Sequence, residues 1–105
     1  MIFQVQLTGE KFACSIKGQG KIKVYVNGNF DKIITLPYQL ELRTNYSNAI
    51  YKVQLENIDS KNITIGPVLE GYITEIESWG DLDIVYLERI FSGNENYEVV
   101  VPDHT

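Results

Sequence analysis

Residues 73–97 have the sequence ITEIESWGDLDIVYLERIFSGNENY, and the spacing of their apolar residues differs from that of the chain before them. The preceding chain alternates apolar and polar residues, as a strand with one buried face does. Within 73–97 the apolar positions are mostly three apart, at 73, 76, 79, 82, 87, 90 and 91. This spacing predicts a short helix over residues 84–91, with Gly93 as its C-cap.

The chain before residue 73 shows a series of strand signals separated by turn residues. Phe3, Val5 and Leu7 alternate with polar residues, and similar runs follow at intervals of about 8–12 residues, the last of them ended by Gly66-Pro67. Asn27-Gly28 predicts a two-residue hairpin turn, because a type I′ turn requires positive φ at both positions. The pattern predicts a mainly β fold, namely a small antiparallel β-sandwich with one short C-terminal helix.

The length and composition indicate a single domain. With 105 residues and 44% hydrophobic content, the chain can bury a core without metals or disulfides. We predict one domain over residues 1–105, in which 1–72 form the β-sandwich portion and 73–105 form a cap and a terminal strand. The lone cysteine, Cys14, lies between apolar residues and is interpreted as a small core residue.

The charge and the candidate reactive residues argue against several function classes. A net charge of −5 disfavours binding to nucleic acid or to a membrane surface. Glu75 and Glu77 are predicted to share a solvated strand face, and His104 is the single histidine and next to last. Asp81-Leu82-Asp83 is not followed by a full loop of oxygen ligands. We therefore predict no catalytic residue, no cofactor, no metal site and no enzymatic activity.

The motif in 73–97 resembles a known repeat. Trp79-Gly80-Asp81-Leu82 is followed by Leu87, by Ile90-Phe91-x-Gly93 and by Asn96-Tyr97. This stretch resembles the first repeat of the BspA-like leucine-rich repeat family, which occurs in bacterial surface proteins and phage proteins. The resemblance implies a leucine-rich-repeat-like cap with a short helix, preceded by a small sandwich similar to a PKD domain. The chain departs from the family pattern by stopping at Thr105 after one repeat, and no calcium site is carried over.

A single repeat leaves part of its apolar face uncovered, which predicts a partner surface. The candidate partner-binding residues are Tyr72, Trp79, Tyr86, Tyr97, Val99 and Val101. For Trp79 the alternative is a core anchor, and for the tyrosines it is that they cover the core edge. Three β-branched residues at 99–101 are expected to be paired with another strand. The partner is expected to be a protein or another copy of the chain.

These features favour a non-enzymatic structural or interaction module. We predict a phage virion-associated protein, such as a decoration, fibre or tail component, made in the cytoplasm because the N-terminus does not read as a signal peptide. One alternative is a small acidic phage-encoded inhibitor of a host defence enzyme. Another is a fragment of an exported bacterial adhesin, which a longer reading frame with a signal peptide upstream and repeats downstream would reveal.

Overall fold

The computed structural model describes residues 1–46 and 48–88, and these residues form two β-sheets that pack face to face. Alternating apolar side chains fill the space between the sheets, as in a sandwich. The described strands are β1 (Ile2–Gln6), β2 (Lys11–Gln19), β3 (Lys21–Val26), β4 (Asn29–Thr35), β5 (Tyr38–Arg43), β6 (Ile50–Asn57), β7 (Lys61–Glu70), β8 (Tyr72–Ser78) and β9 (Ile84–Leu87).

The chain crosses repeatedly between the two sheets. One sheet has five strands in the order β4-β3-β6-β1-β8, and the other has four in the order β5-β2-β7-β9. Only β3 and β4 are consecutive strands within one sheet. One flank of the sandwich therefore carries the edge strands β4 and β5, and the opposite flank carries β8 and β9. The prediction of a mainly β fold with two packed sheets is confirmed.

The core comes from the inward side chains of both sheets. In the interior strand β1, Phe3 and Val5 are fully buried, whereas Gln4 and Gln6 face outward. Residues of β2, β3, β6 and β7 contribute the same alternation. The largest fully buried side chains are Met1, Phe3, Leu7, Phe12, Ile16, Ile22, Leu40, Leu55, Ile63, Ile65, Ile73 and Ile76. Cys14 also lies in this core, as the sequence predicted.

The hairpin predicted at Asn27-Gly28 is confirmed. Asn27 has φ 52° and Gly28 has φ 83°, the two positive values that a type I′ turn needs. The turn joins β3 to β4, which pair antiparallel from Lys21↔Thr35 to Val26↔Asn29. The Asn27 side-chain oxygen also accepts a hydrogen bond from the Lys52 N–H at 2.9 Å, so the turn is tied to β6.

The helix predicted over residues 84–91 is wrong over its described part. Ile84–Leu87 forms β9, which pairs with β7, and no helix occurs in the part of the chain that the structure describes. The β7–β9 pair is parallel, so the sandwich is not purely antiparallel as predicted. The reason is topological. Because β8 lies in the other sheet, the chain leaves and re-enters the four-stranded sheet and runs in its original direction.

β-Bulges explain why the spacing in 73–88 indicated a helix. Along β8, Ile76 pairs with Phe3 and Ile73 pairs with Val5, so three residues of β8 span two of β1. Along β9, Ile84 pairs with Ile63 and Leu87 with Ile65, again with one extra residue. A bulge inserts one residue into one strand, and core-facing side chains are then three positions apart instead of two. The apolar spacing of three between residues 73 and 76 and between 84 and 87 is therefore a strand spacing with bulges, whereas 79 and 82 lie in the turn between β8 and β9.

The predicted boundary at residue 72 does not coincide with the end of either sheet. β8 begins at Tyr72 and hydrogen-bonds to the interior strand β1, while β9 extends the second sheet. Residues 72–87 therefore supply one edge strand to each sheet instead of a separate layer. The predicted terminal strand lies outside the described residues.

We expect Gly20→Ala to destabilise the protein more than Gly28→Ala by about 1–3 kcal/mol. Both glycines have positive φ, so an alanine is strained at either position. A Cβ at Gly20 would also overlap the Asp59 carbonyl oxygen, whereas nothing lies within 4 Å of one at Gly28. Urea denaturation of the two variants measures the difference. Equal losses of stability would show that the close approach at Gly20 does not constrain the fold.

Candidate interaction surface at the β8–β9 flank

The turn that joins β8 to β9 is held by side-chain hydrogen bonds to the backbone. The Asp83 carboxylate accepts a bond from the Asn62 N–H at 2.9 Å, and the Asp81 carboxylate accepts one from the Asn57 N–H at 3.4 Å. The Gly80 N–H donates to the Ser78 hydroxyl oxygen at 3.2 Å. These bonds fix residues 79–83 against the ends of β6 and β7. The Trp79 side chain is thereby placed between the two edge strands.

The flank carries an open apolar groove. Its cavity of about 350 Å³ is lined by Trp79, Ile84, Val85, Tyr86 and Leu87, and we call it the flank groove. Trp79, Ile84 and Leu87 are half-buried and pack against the main core. Val85 and Tyr86 are 57% and 60% exposed. Large apolar side chains exposed next to one another in a concave site are typical of an interaction surface.

The flank groove lies on an acidic part of the chain. Residues 72–88 contain three glutamates and two aspartates and no lysine or arginine, which gives this stretch a charge of −5. Glu77 pairs with Lys52 at 3.2 Å, and Glu88 pairs with Lys17 at 2.9 Å. Asp81 and Asp83, on the turn beside the groove, are both exposed. The apolar surface is therefore bordered by negative charge.

The structure brings two of the predicted partner-binding residues together. Trp79 and Tyr86 line the same groove. Tyr72 is half-buried at the start of β8, where it pairs with Gln6. It lies about 20 Å along the strand from Trp79, which follows the end of β8. Tyr97, Val99 and Val101 lie outside the described residues. Trp79 contacts the core and also faces the groove, so the two interpretations given for it from the sequence do not exclude each other.

Sequence reasoning missed two groups of exposed apolar residues. Val85 was assigned to a helix, although it is the extra residue of β9 in its pairing with β7. Phe30 and Ile33 on β4 are 57% and 52% exposed, next to Tyr25 on β3. The Asn27-Gly28 turn could have indicated the second group, because it sets the pairing of β3 with β4.

A larger open cavity lies at the end of the sandwich but has a different character. Its volume is about 520 Å³, and it is lined by the exposed residues of two end loops and by the Lys11 and Arg43 side chains. Lys11 already pairs with Glu41 at 3.4 Å and with Glu70 at 3.7 Å. Surface ion pairs of this kind contribute little free energy and leave the cavity lining hydrated. The smaller flank groove is therefore the better candidate site.

Cys14 is the single cysteine of the chain, and its buried environment suppresses the reactivity of its thiol. Burial raises the pKa of the Cys14 thiol from 9.0 to about 12, despite a hydrogen bond with the Gly66 backbone that lowers it. The thiol therefore stays protonated at neutral pH, and the thiolate is the reactive form. Among residues 1–46 and 48–88, no three His, Cys, Asp or Glu side chains are grouped so as to hold a metal ion.

We expect Trp79→Ala to lower the free energy of unfolding by about 2–3 kcal/mol, because it removes a half-buried aromatic side chain that packs on the core. Tyr86→Ala is the matched control in the same groove. Since Tyr86 is 60% exposed, its removal should change stability by no more than about 0.5 kcal/mol. Urea denaturation separates the two effects. A Trp79→Ala variant as stable as the control would contradict the packing seen here.

Cys14 should make stability fall above pH 9. The folded-state pKa of about 12 is higher than the ordinary value of 9.0, so its contribution is complete below pH 9 and is lost as pH rises toward 12. Between pH 8 and pH 10 we expect the wild type to lose about 1 kcal/mol more than Cys14→Ala, which cannot ionise there. Urea denaturation at both pH values tests this. Rapid labelling of the native thiol at pH 8 would contradict it.

Comparison with known proteins does not assign the chain to a family. No family model matches the chain, and no curated protein or solved structure matches it significantly. None of the residues that the structure describes forms a helix able to cross a membrane. A functional interpretation of this chain therefore depends on its own residues and surfaces.

Proposed function

We propose that the chain is a non-enzymatic structural or interaction module that works by self-assembly or by binding another protein. The observation that carries this proposal is the flank groove, where Val85 and Tyr86 expose apolar side chains beside Trp79. Because Val85 and Tyr86 are already partly buried, covering the rest of their surface gains about 1 kcal/mol each, so a contact that covers them is favourable. No comparable gain comes from leaving them in water.

The fold supports a binding role for this flank. Among the strands that the structure describes, β9 lies at the edge of its sheet, and its residues Ile84–Leu87 carry no charge. The other edge strands each contain charged residues: Asp31 and Lys32 on β4, Glu41 and Arg43 on β5, and Glu75 and Glu77 on β8. Charged residues on an edge oppose unwanted strand pairing. The β9 edge is thus the least protected against contact with another chain.

The biological setting that we propose is a phage virion, in which the module is a decoration, fibre or tail-associated protein. The support for this is the resemblance of residues 73–97 to BspA-like repeats, a resemblance of sequence whose described part forms strands and not the repeat's short helix. A decoration or fibre protein functions by contact with other copies or with neighbouring virion proteins. An exposed apolar groove on a compact sandwich is compatible with such a contact.

We expect purified protein to associate in a concentration-dependent way. Light scattering after size exclusion should give a mass above the 12.0 kDa of one chain as concentration rises to about 1 mM, because small interfaces bind weakly. Mass spectrometry of purified phage particles should also detect the chain. If the protein stays a monomer at every concentration and no particle contains it, the proposal fails.

A second candidate is a small acidic inhibitor of a host defence enzyme. The observation that favours it is the concentration of five carboxylates, without lysine or arginine, in residues 72–88. A dense anionic surface can occupy a basic groove on an enzyme. Retention of one host enzyme in a stoichiometric amount by the tagged chain would support this candidate over a virion component.

A further inference from the structure

A second exposed apolar patch lies on the flank opposite to the flank groove. On the β3–β4 hairpin, Tyr25 and Phe30 contact edge to face with ring centroids 5.9 Å apart. Ile33 pairs with Lys23. Because Lys23 and Tyr25 are alternate residues of β3, Ile33 lies on the same outer surface as Tyr25. We call Tyr25, Phe30 and Ile33 the hairpin patch. Phe30 and Ile33 are more than half exposed, so the patch projects into solvent.

The hairpin patch is carried on a basic part of an acidic chain. Residues 21–35 contain three lysines and one aspartate, a charge of +2. Lys21 and Lys23 alternate with the buried Ile22 and Val24 and therefore share the outer face with the patch. By contrast, the turn beside the flank groove carries Asp81 and Asp83, both exposed. The hairpin patch therefore has lysines beside it, although Lys23 lies opposite Glu56 of β6, and the flank groove has aspartates beside it.

The topology places these two surfaces on opposite flanks of the molecule. β4 and β8 are the two edge strands of the five-stranded sheet. β9, which follows β8 in the sequence, is an edge strand of the four-stranded sheet as described. A hairpin patch cannot reach the flank groove of its own chain, because three strands, β6, β1 and β8, separate the β3–β4 hairpin from that flank. A contact between the two surfaces therefore has to join two molecules.

We propose that the hairpin patch of one copy docks into the flank groove of the next copy. Phe30 and Ile33 would enter the groove lined by Trp79, Val85 and Tyr86, while Lys21 and Lys23 face the carboxylates around it. This inference rests on the proposed function, since it names the partner and the surfaces of the self-assembly. A contact between two different surfaces is heterologous and produces a ring or an open filament.

Charge favours this occupant over a symmetric pair of grooves. A two-fold dimer through the flank groove would bring Asp81 and Asp83 of both copies together, and like charges placed opposite each other oppose association. Docking of the hairpin patch instead brings Lys21 and Lys23 toward these aspartates and covers apolar side chains on both partners. Charge complementarity therefore identifies the partner as the basic flank of another copy.

Two variants, each with one surface disabled, test the contact. Phe30→Glu adds negative charge to the hairpin patch, and Val85→Arg adds a large cation to the flank groove. Both positions are 57% exposed, so the fold should tolerate the changes. Each variant alone is expected to be monomeric under conditions in which the wild type associates. An equimolar mixture should form a dimer of twice the 12.0 kDa monomer mass and no larger species, since only one working contact remains.

Matched controls carry the same charges elsewhere on the surface. Tyr46→Glu and Leu69→Arg change residues that are 76% and 53% exposed and belong to neither surface, and both should associate like the wild type. Circular dichroism spectra should be recorded to verify that the two surface variants and the two control variants are all folded. Added salt should weaken wild-type association, because the contact is partly electrostatic.

The outcomes separate this inference from the proposed function. Association of both disabled variants at the wild-type level would overturn the docking contact while leaving self-assembly in place. Loss of association in Val85→Arg alone would also overturn it, since that result indicates a symmetric contact through the groove. A monomeric mixture would overturn it too. A wild type that is monomeric at every concentration would overturn self-assembly itself, and with it this contact.

Discussion

The register of β1 is the constraint on which the two-sheet structure depends. β1 lies between β6 and β8, with Phe3 opposite both Val53 and Ile76. A slip of one residue against either neighbour would turn Phe3 and Val5 outward and bring Gln4 and Gln6 into the core. The chain start is fixed as well, since the Met1 ammonium group donates to the Leu55 carbonyl at 2.8 Å. The edge strand β8 takes its position from this register, whereas β9 takes its position from β7.

The sequence predicted the regular part of the fold because burial there follows the period of a strand. Phe3, Val5 and Leu7 on one face, and Asn27-Gly28 as a hairpin turn, were enough to indicate a two-sheet sandwich. The alternation failed where the strands bulge. Gly66-Pro67 was expected to end a strand, but β7 continues to Glu70, with these two residues opposite the single Ser15. Proline is tolerated at such bulges because the local ladder is already interrupted.

The candidate site could be predicted only in part, for the same physical reason. Trp79 was identified because a large aromatic side chain in a turn is usually buried, either in the core or in an interface. Val85 was missed because its exposure depends on the bulge in β9, and the chain pattern of 73–88 fits a helix equally well. Phe30 was missed because its neighbour Tyr25 comes from another strand. A surface formed by residues of two paired strands can be predicted only if the register of the pair is known, and a single sequence does not give that register directly.

The sandwich is asymmetric in both charge and shape, and this asymmetry bears on how such a small domain can assemble. One flank has the β3–β4 hairpin with its exposed Phe30 and Ile33, and the other has a groove within an acidic stretch of the chain. A domain with one self-complementary surface would associate by a two-fold contact and stop at a dimer. Two unlike, complementary flanks instead allow each copy to use a different surface for each neighbour. In the docking contact that we propose, growth then continues until a ring closes or a filament forms.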